Sequence, residues 1–290
     1  MVSKISIVIP AYNEEPVIAK VVRGVREVLD ELDYEYEILV INDGSSDATA
    51  AQAAEAGAQV VSHPYNIGNG AAVKTGIRNA QGDVIVLMDG DGQHSPRDIP
   101  RLLEFFPGYA LVVGARTQNS QSTWLRAWGN RFYNAMASYI SGHKIRDLTS
   151  GFRALDAGVA KTIVNLLPNG FSSPSTSTIS IYRMGYPVKH ISIEAAQRVG
   201  ESKIKILRDG AKFVFIIARI GMLFVPLKIC LPLSVVAMAP GLCVALVKLF
   251  LGRAWTIPII ISVTVGVLIL VLGLISEQIA LLRMSSQFRK

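Results

Sequence analysis

Apolar residues in the first two hundred positions fall into short runs, and those at 5–9, 37–41, 58–62, 84–88 and 110–114 have the length and β-branched content of buried strands. Between them the period changes. Val17, Ile18, Val21, Val22, Val25, Val28 and Leu29 repeat at helical spacing, and Ala71, Ala72, Thr75, Ile77 and Ala80 outline a second helix small enough to pack closely on a sheet. Alternating strands and helices predict an α/β fold, a mostly parallel sheet with flanking helices. In such sheets the chemistry gathers at the carboxyl ends of the strands.

The pattern changes after position 228. Residues 229–282 carry almost no charge apart from Lys248, Arg253 and Glu277. The runs 229–251 and 257–282 each exceed the roughly 20 apolar residues needed to cross a hydrocarbon core, and only 252–256 separate them. They predict a two-helix transmembrane hairpin. Residues 203–228 mix Ile206, Leu207, Phe213 and Ile220 with Arg208, Lys212 and Arg219, the pattern of amphipathic interfacial helices. The expected organisation is a catalytic domain over 1–202, an interfacial segment over 203–228 and a hairpin with a short basic tail over 229–290.

Composition agrees with a divided chain. Of 290 residues 50% are hydrophobic, mean hydropathy is +0.37 and the formal charge is +7, too apolar overall for an ordinary soluble enzyme. Lys203, Lys205, Arg208, Lys212, Arg219 and Lys228 precede the hairpin and Arg283, Arg289 and Lys290 follow it, whereas the connector holds only Arg253. Both flanks are therefore expected to be cytoplasmic. The start of the chain runs straight into a strand pattern without the marks of a signal peptide, so the first domain is expected to stay cytoplasmic as well. Basic residues clustered beside the hairpin suit anionic headgroups and phosphorylated substrates, not nucleic acid. Both cysteines, Cys230 and Cys243, lie in the first membrane run, which excludes disulfides and Cys-ligated zinc from the rest.

Three strand ends are unusually polar: Pro10-Ala11-Tyr12-Asn13-Glu14-Glu15, Asn42-Asp43-Gly44-Ser45-Ser46-Asp47 and Asp89-Gly90-Asp91-Gly92-Gln93-His94. Carboxylates at i and i+2 on a segment leaving a strand can reach one hard divalent cation, and Gly90 leaves room for a phosphate between them. Taken alone, a tight turn with two solvated acids explains the same residues. Asn42-Asp43-Gly44 is likewise an ordinary turn, with Asp47 suited to cap a helix beginning at Ala48. Tyr12 offers a flat face to a base and Asp43 an acceptor to base or ribose. The segment 66–74 opens a helix with small residues and free backbone N–H groups, as anion sites do, although its glycines have neither Walker nor dinucleotide spacing. Joint placement on one sheet edge is the informative fact.

In this order, Ile7-Val8-Ile9-Pro10-Ala11-Tyr12-Asn13-Glu14, Asn42-Asp43-Gly44-Ser45-Ser46-Asp47, Asn66-x-Gly68-x-Gly70 and Asp89-Gly90-Asp91-Gly92-Gln93-His94 closely resemble the family 2 inverting glycosyltransferases. Within them the chain is similar to the dolichyl-phosphate mannose synthase and bacterial polyprenyl-phosphate glucosyltransferase branch. The resemblance spans roughly residues 3–205, and the tail resembles bacterial members with a membrane hairpin. It implies a nucleotide-sugar-binding fold of the A type. Pro10, Ala11, Tyr12, Glu14, Asp43, Gly68, Lys74, Asp89 and Gly90 would surround the nucleotide sugar, and Asp89, Asp91 and Gln93 would hold Mg²⁺ or Mn²⁺. His94 reads either as a ligand or as a support behind the site before Ser95-Pro96.

The resemblance also implies an acceptor side. Arg116 and Arg131 would face a lipid phosphate, with Arg198 and Lys203 on a closing loop, and Asp91, Arg116 and Arg131 would act in catalysis. Arg153 either joins that wall or pairs with Asp147; for Lys203 a basic membrane-surface linker is the plain alternative. The implied partners are a nucleoside diphosphate sugar, a polyprenyl phosphate and the membrane. The implied reaction is transfer of a hexose, from UDP-glucose or a GDP-mannose type donor, with inversion. A lipid monophosphate needs no general base because it is already anionic near neutral pH. Two alternatives stay open: transfer to a lipid or glycan hydroxyl with Asp147 as base, and a non-catalytic scaffold that binds nucleotide sugar. Homo-oligomerisation through the hairpin is compatible with Gly241 and Gly252 but not established by them.

Overall fold

A computed structural model describes residues 2–116, 124–170, 172–194, 215–216, 218–251 and 257–287, with side chains described outside 124–130 and 283–287. The chain forms two compact units, residues 1–214 and 215–290. In the first, seven strands make one sheet: β1 (Lys4–Ala11), β2 (Glu35–Asn42), β3 (Gln59–Ser62), β4 (Val84–Leu87), β5 (Leu111–Arg116), β6 (Arg153–Asp156) and β7 (Val188–Ile193), in the order β3-β2-β1-β4-β6-β5-β7. All neighbours run parallel except around β6, which is antiparallel to both β4 and β5. The five expected strands are present. β6 and β7 are additions.

The central strands read as unbroken apolar runs because both their faces are covered. Ile5, Ile7, Ile9, Val40 and Val86 point to one side, where helix α1 (Ile18–Asp30) supplies Ile18, Val22 and Val25. Val8, Leu39, Ile41, Ile85 and Leu87 point to the other. There they meet Ala72, Val73 and Ile77 of α3 (Asn69–Asn79), which follows the short α2 (Thr49–Glu55). A Cβ at Gly76 would lie 2.1 Å from Val8 Cγ1, so α3 reaches the sheet only because that position is bare. Asp47 sits just ahead of α2 and accepts from Thr49 N at 3.1 Å, but the helix starts at Thr49 and not at Ala48, so its N-cap is Ala48 and Asp47 is not the cap.

Strand order reverses at β1. β2 and β3 lie on one side of it and β4 on the other, so a crevice opens beyond the carboxyl ends of β1 and β4, where Pro10 and Asp89 follow. The second half adds α4 (Ile99–Leu103), α5 (Trp124–Ser141), α6 (Ala157–Ile163) and α7 (Ser173–Arg183). Asp156 caps α6 by accepting from Val159 N at 2.9 Å.

In the second unit α8 (Pro226–Phe250) and α9 (Ile257–Gln287) pack as a hairpin, both long and apolar enough to cross a membrane. The expected hairpin start at 229 moves back to Pro226, a residue type at home in a helix's first turn. Pro240 inside α8 cannot donate, which frees a carbonyl one turn back. That carbonyl is Val236 O; one residue on, Ser262 of α9 inserts between Ala237 O and Gly241 N, donating to the first at 2.6 Å and accepting from the second at 3.2 Å. Glu277, the hairpin's acid, accepts from Leu227 N at 3.1 Å and so meets the positive end of α8. Most of the interfacial segment expected over 203–228 lies outside the described residues.

Candidate active site

A cavity of about 390 Å³ occupies the crevice. Pro10, Ala11, Tyr12 and Glu14 enter it from the end of β1, and Asp43 and Gly68 from the turns after β2 and β3. Asp89, Gly90, Asp91 and Gln93 enter from the end of β4, and Arg116 from β5. The sheet thus gathers into one hollow residues spread over more than a hundred positions. Arg131 does not join them: it is exposed on α5 and does not line the cavity. Lys74 also points elsewhere, donating to the side chain of Asn169. Arg198 and Lys203 lie outside the described residues.

Asp89 is half-buried and closely packed on one side. A Cβ at Gly151 would stand 2.3 Å from its Oδ2, and one at Gly90 would stand 3.2 Å from Pro10 O. His94 Nε2 lies 3.6 Å from Asp89 Oδ2, and its ring stacks on Phe152 at 5.2 Å between centroids, which places His94 behind the acid. Burial works to raise the Asp89 pKa. The nearby His94, with the charges of Arg116 and Arg153, outweighs it and holds the carboxyl below its ordinary value. Asp91 accepts from Gln93 N at 3.1 Å, which orders the turn.

Among the described residues no three His, Cys, Asp or Glu side chains group around one point. The donor set offered instead is two carboxylates and the amide oxygen of Gln93. These are hard oxygens that suit Mg²⁺ or Mn²⁺ when the remaining positions are filled by phosphate oxygens and water. An ionised Asp89 facing a cavity fits such an ion.

Asp43 is buried and heavily used. Its Oδ1 accepts from Ile67 N at 3.0 Å and lies 2.7 Å from His63 Nδ1, and its Oδ2 accepts from Gly68 N at 2.8 Å. The carboxylate thereby holds the loop that opens α3. The same bonds correct the expectation of free N–H groups at that helix start. Besides residues 67 and 68, Gly70 N donates to Gly170 O at 3.2 Å and Ala71 N to Asn169 O at 2.8 Å. A Cβ at Gly70 would lie 2.1 Å from Pro168 O. Glycines are there to let residues 168–170 approach, and two of the donors go to that segment while Asp43 takes two more.

On the opposite wall Arg116 holds Asp147, Nε to Oδ2 at 2.8 Å and Nη2 to Oδ1 at 3.1 Å, and also donates to Thr149 Oγ1 at 2.7 Å. Burial works against the charge on both groups. Their mutual hydrogen bond and attraction prevail, raising Arg116 and lowering Asp147 from their ordinary values. Asp147 therefore does not pair with Arg153. That guanidinium is fully buried and donates from Nη1 to Pro174 O and Ser177 Oγ at 2.8 Å and Thr178 Oγ1 at 3.0 Å, and from Nη2 to Ser150 O. Burial pushes it down to about 10.

Sequence reasoning missed the first turn of α7. Ser172, Ser173 and Ser175 line the cavity, and the signal available was the run Ser172-Ser173-Pro174-Ser175 with proline suited to a helix's first turn.

A mostly parallel sheet with an acid pair at its switch point is the fold of the A-type glycosyltransferases. Residues 6–164 match the model described as Glycosyl transferase family 2, and residues 225–282 match the GtrB C-terminal hairpin. The chain belongs to glycosyl transferase family 2. It is 34% identical over 222 residues to the undecaprenyl-phosphate 4-deoxy-4-formamido-L-arabinose transferase of Sodalis glossinidius (strain morsitans), covering 71% of this chain and 64% of that protein. The match thus spans less than two thirds of the relative's length.

Among solved structures, glucosyl-3-phosphoglycerate synthase from Mycobacterium tuberculosis in complex with Mn²⁺, UDP and phosphoglyceric acid superposes with a TM-score of 0.63. That pair is 19% identical over 76% of this chain and 78% of that one. The same enzyme with Mn²⁺ and UDP-glucose gives 0.59 at 22% identity over 74% and 77%. At such identities the likeness establishes the fold.

Proposed function

We propose that the protein transfers a hexose from a nucleoside diphosphate sugar, of the UDP-glucose or GDP-mannose type, to the phosphate of a polyprenyl lipid, with inversion at the anomeric carbon. The observation that carries this reading is the placement of Asp89, Asp91 and Gln93 at the switch-point cavity of a chain that ends in an apolar hairpin. Tyr12 and the loop ordered by Asp43 would receive the nucleoside. Asp89, Asp91 and Gln93 would hold Mg²⁺ or Mn²⁺, which as a Lewis acid neutralises a leaving diphosphate. The complexes of the Mycobacterium tuberculosis enzyme with Mn²⁺ and UDP support this.

The relative named for undecaprenyl phosphate, together with the hairpin match, supports a lipid phosphate acceptor. So does Asp147. Engaged by Arg116 and by Thr149 N at 3.1 Å, and held below its ordinary pKa, it is a poor general base for a hydroxyl acceptor. A phosphate monoester needs none, so orientation and charge neutralisation suffice. The basic flanks of the hairpin support a catalytic unit on the cytoplasmic side.

The test is transfer from labelled nucleotide sugars to polyprenyl phosphate by membranes carrying the protein, with Mn²⁺ or with EDTA. Label in a lipid product that disappears with EDTA is the expected result. Indifference of both transfer and donor binding to metal removal would overturn it.

A further inference from the structure

The first turn of α7 gathers buried hydroxyls that no protein group engages. Ser172, Ser173 and Ser175 are 6%, 4% and 1% exposed, line the cavity, and have hydroxyls without a hydrogen-bond partner. No side chain caps the helix among the described residues. Beneath it lies Arg153, a fully buried cation whose Nε has no partner and which has no carboxylate within ion-pair distance among the described residues. Each orphaned hydroxyl costs free energy on burial, and a buried charge with no carboxylate in contact costs more. Cation and helix N-terminus also add rather than cancel, since both are positive. Ser172 moreover takes φ +91°, where glycine would be easier, so a hydroxyl is kept at a conformational cost.

We infer that the first turn of α7 is a seat for a phosphoryl group, with Ser172, Ser173 and Ser175 donating to its oxygens and Arg153 as the positioning residue that pins the turn and supplies the countercharge. Two sources have this chemistry, the diphosphate of the donor and the monophosphate of the acceptor. The inference deepens the proposed reaction and rests on that reading. It also moves the anion-binding helix start from α3, where the N–H groups of residues 67, 68, 70 and 71 are occupied, to α7.

The experiment compares the full chain in detergent with the triple variant Ser172→Gly, Ser173→Ala, Ser175→Ala. Binding of UDP, of inorganic phosphate and of a short-chain prenyl monophosphate is measured by calorimetry, alongside the melting temperature without ligand. Removing unsatisfied hydroxyls leaves the unliganded melting temperature equal or higher. Affinity for at least one phosphorylated probe falls by about tenfold or more, because hydrogen bonds to charged groups are lost. Loss for UDP alone assigns the seat to the donor; loss for phosphate and the prenyl monophosphate assigns it to the acceptor. Unchanged affinity for all three overturns the inference. Because binding is read without turnover, a failed transfer assay and a failed seat remain distinguishable.

Discussion

Arg116 and Asp147, 31 positions apart, meet side by side with two nitrogens on two oxygens at 2.8 and 3.1 Å, so the arginine best placed to meet an incoming phosphate is already committed to a carboxylate. An acceptor would have to share that guanidinium. Asp147→Asn keeps the shape and removes the charge. At pH 7 it should lower stability by about 2 kcal/mol, less than for a fully dry pair because Arg116 is partly exposed. The sign follows from the lowered carboxyl: its contribution is present above the unfolded value near 3.8 and is lost as pH falls through the lower folded value. Melting curves of the two proteins should therefore stay apart down to about pH 4 and converge only in stronger acid. Convergence near pH 6 would sink this account.

His190 on β7 predicts a different acid limb. Burial first, then the charges of Arg153 and Arg146, push it down to about 4 against the opposing pull of Asp147. Both ring nitrogens are without partners, and the ring stacks near Tyr182 at 6.5 Å between centroids. The folded form holds this histidine neutral, so the stabilisation is complete above pH 6.5. It drains away between 6.5 and about 4 as the unfolded chain takes up a proton first. His190→Phe keeps a ring against Tyr182 and should flatten the pH dependence of melting across that window, on the order of 2 kcal/mol. An unchanged slope in the variant would assign the limb to another group.

Gly151 offers a test of the acid pair that leaves both acids in place. A methyl there would stand 2.3 Å from Asp89 Oδ2 and displace the carboxylate from its present position. Gly151→Ala should weaken Mn²⁺ binding, read by electron paramagnetic resonance in the presence of UDP, by about tenfold or more, whereas Asp89→Asn should lower transfer by a factor of about a thousand. Normal metal affinity in Gly151→Ala would show that Asp89 is free to move aside and that its present pose is unimportant.

The parts of this molecule legible in its sequence are those where local pattern and global role coincide. β1, β2 and β4 are buried on both faces, so their apolar runs announce them, and Asp89 and Asp91 declare themselves by following β4 at once. β6 escaped because it has four residues and begins with an arginine, and β7 because a half-buried edge strand carries Lys189 and His190 in its middle. Of the two readings left open for Arg153, pairing with Asp147 fails for a related reason. Asp147 and Arg153 are six apart and invite association, but the fold brings Arg116 to Asp147 and turns Arg153 under α7. The serines of α7 are ordinary turn residues until tertiary structure buries them beside a cavity.

Asp43 separates a residue that reads a ligand from one that shapes the place where the ligand binds. Its two oxygens already accept from two backbone N–H groups and lie against His63, which in turn reaches Thr75 Oγ1 at 2.9 Å and so ties the loop to α3. Asparagine at this position keeps one acceptor and turns the other into a donor facing a backbone N–H. Asp43→Asn should then cost about 1–3 kcal/mol of stability without any nucleotide and weaken UDP binding through the same loop. The check is a pair of measurements on one variant, unliganded melting and UDP calorimetry. Both falling together fits a carboxylate that builds the nucleotide side of the cavity. Weakened UDP binding with unliganded melting intact would make Asp43 a direct reader of base or ribose instead.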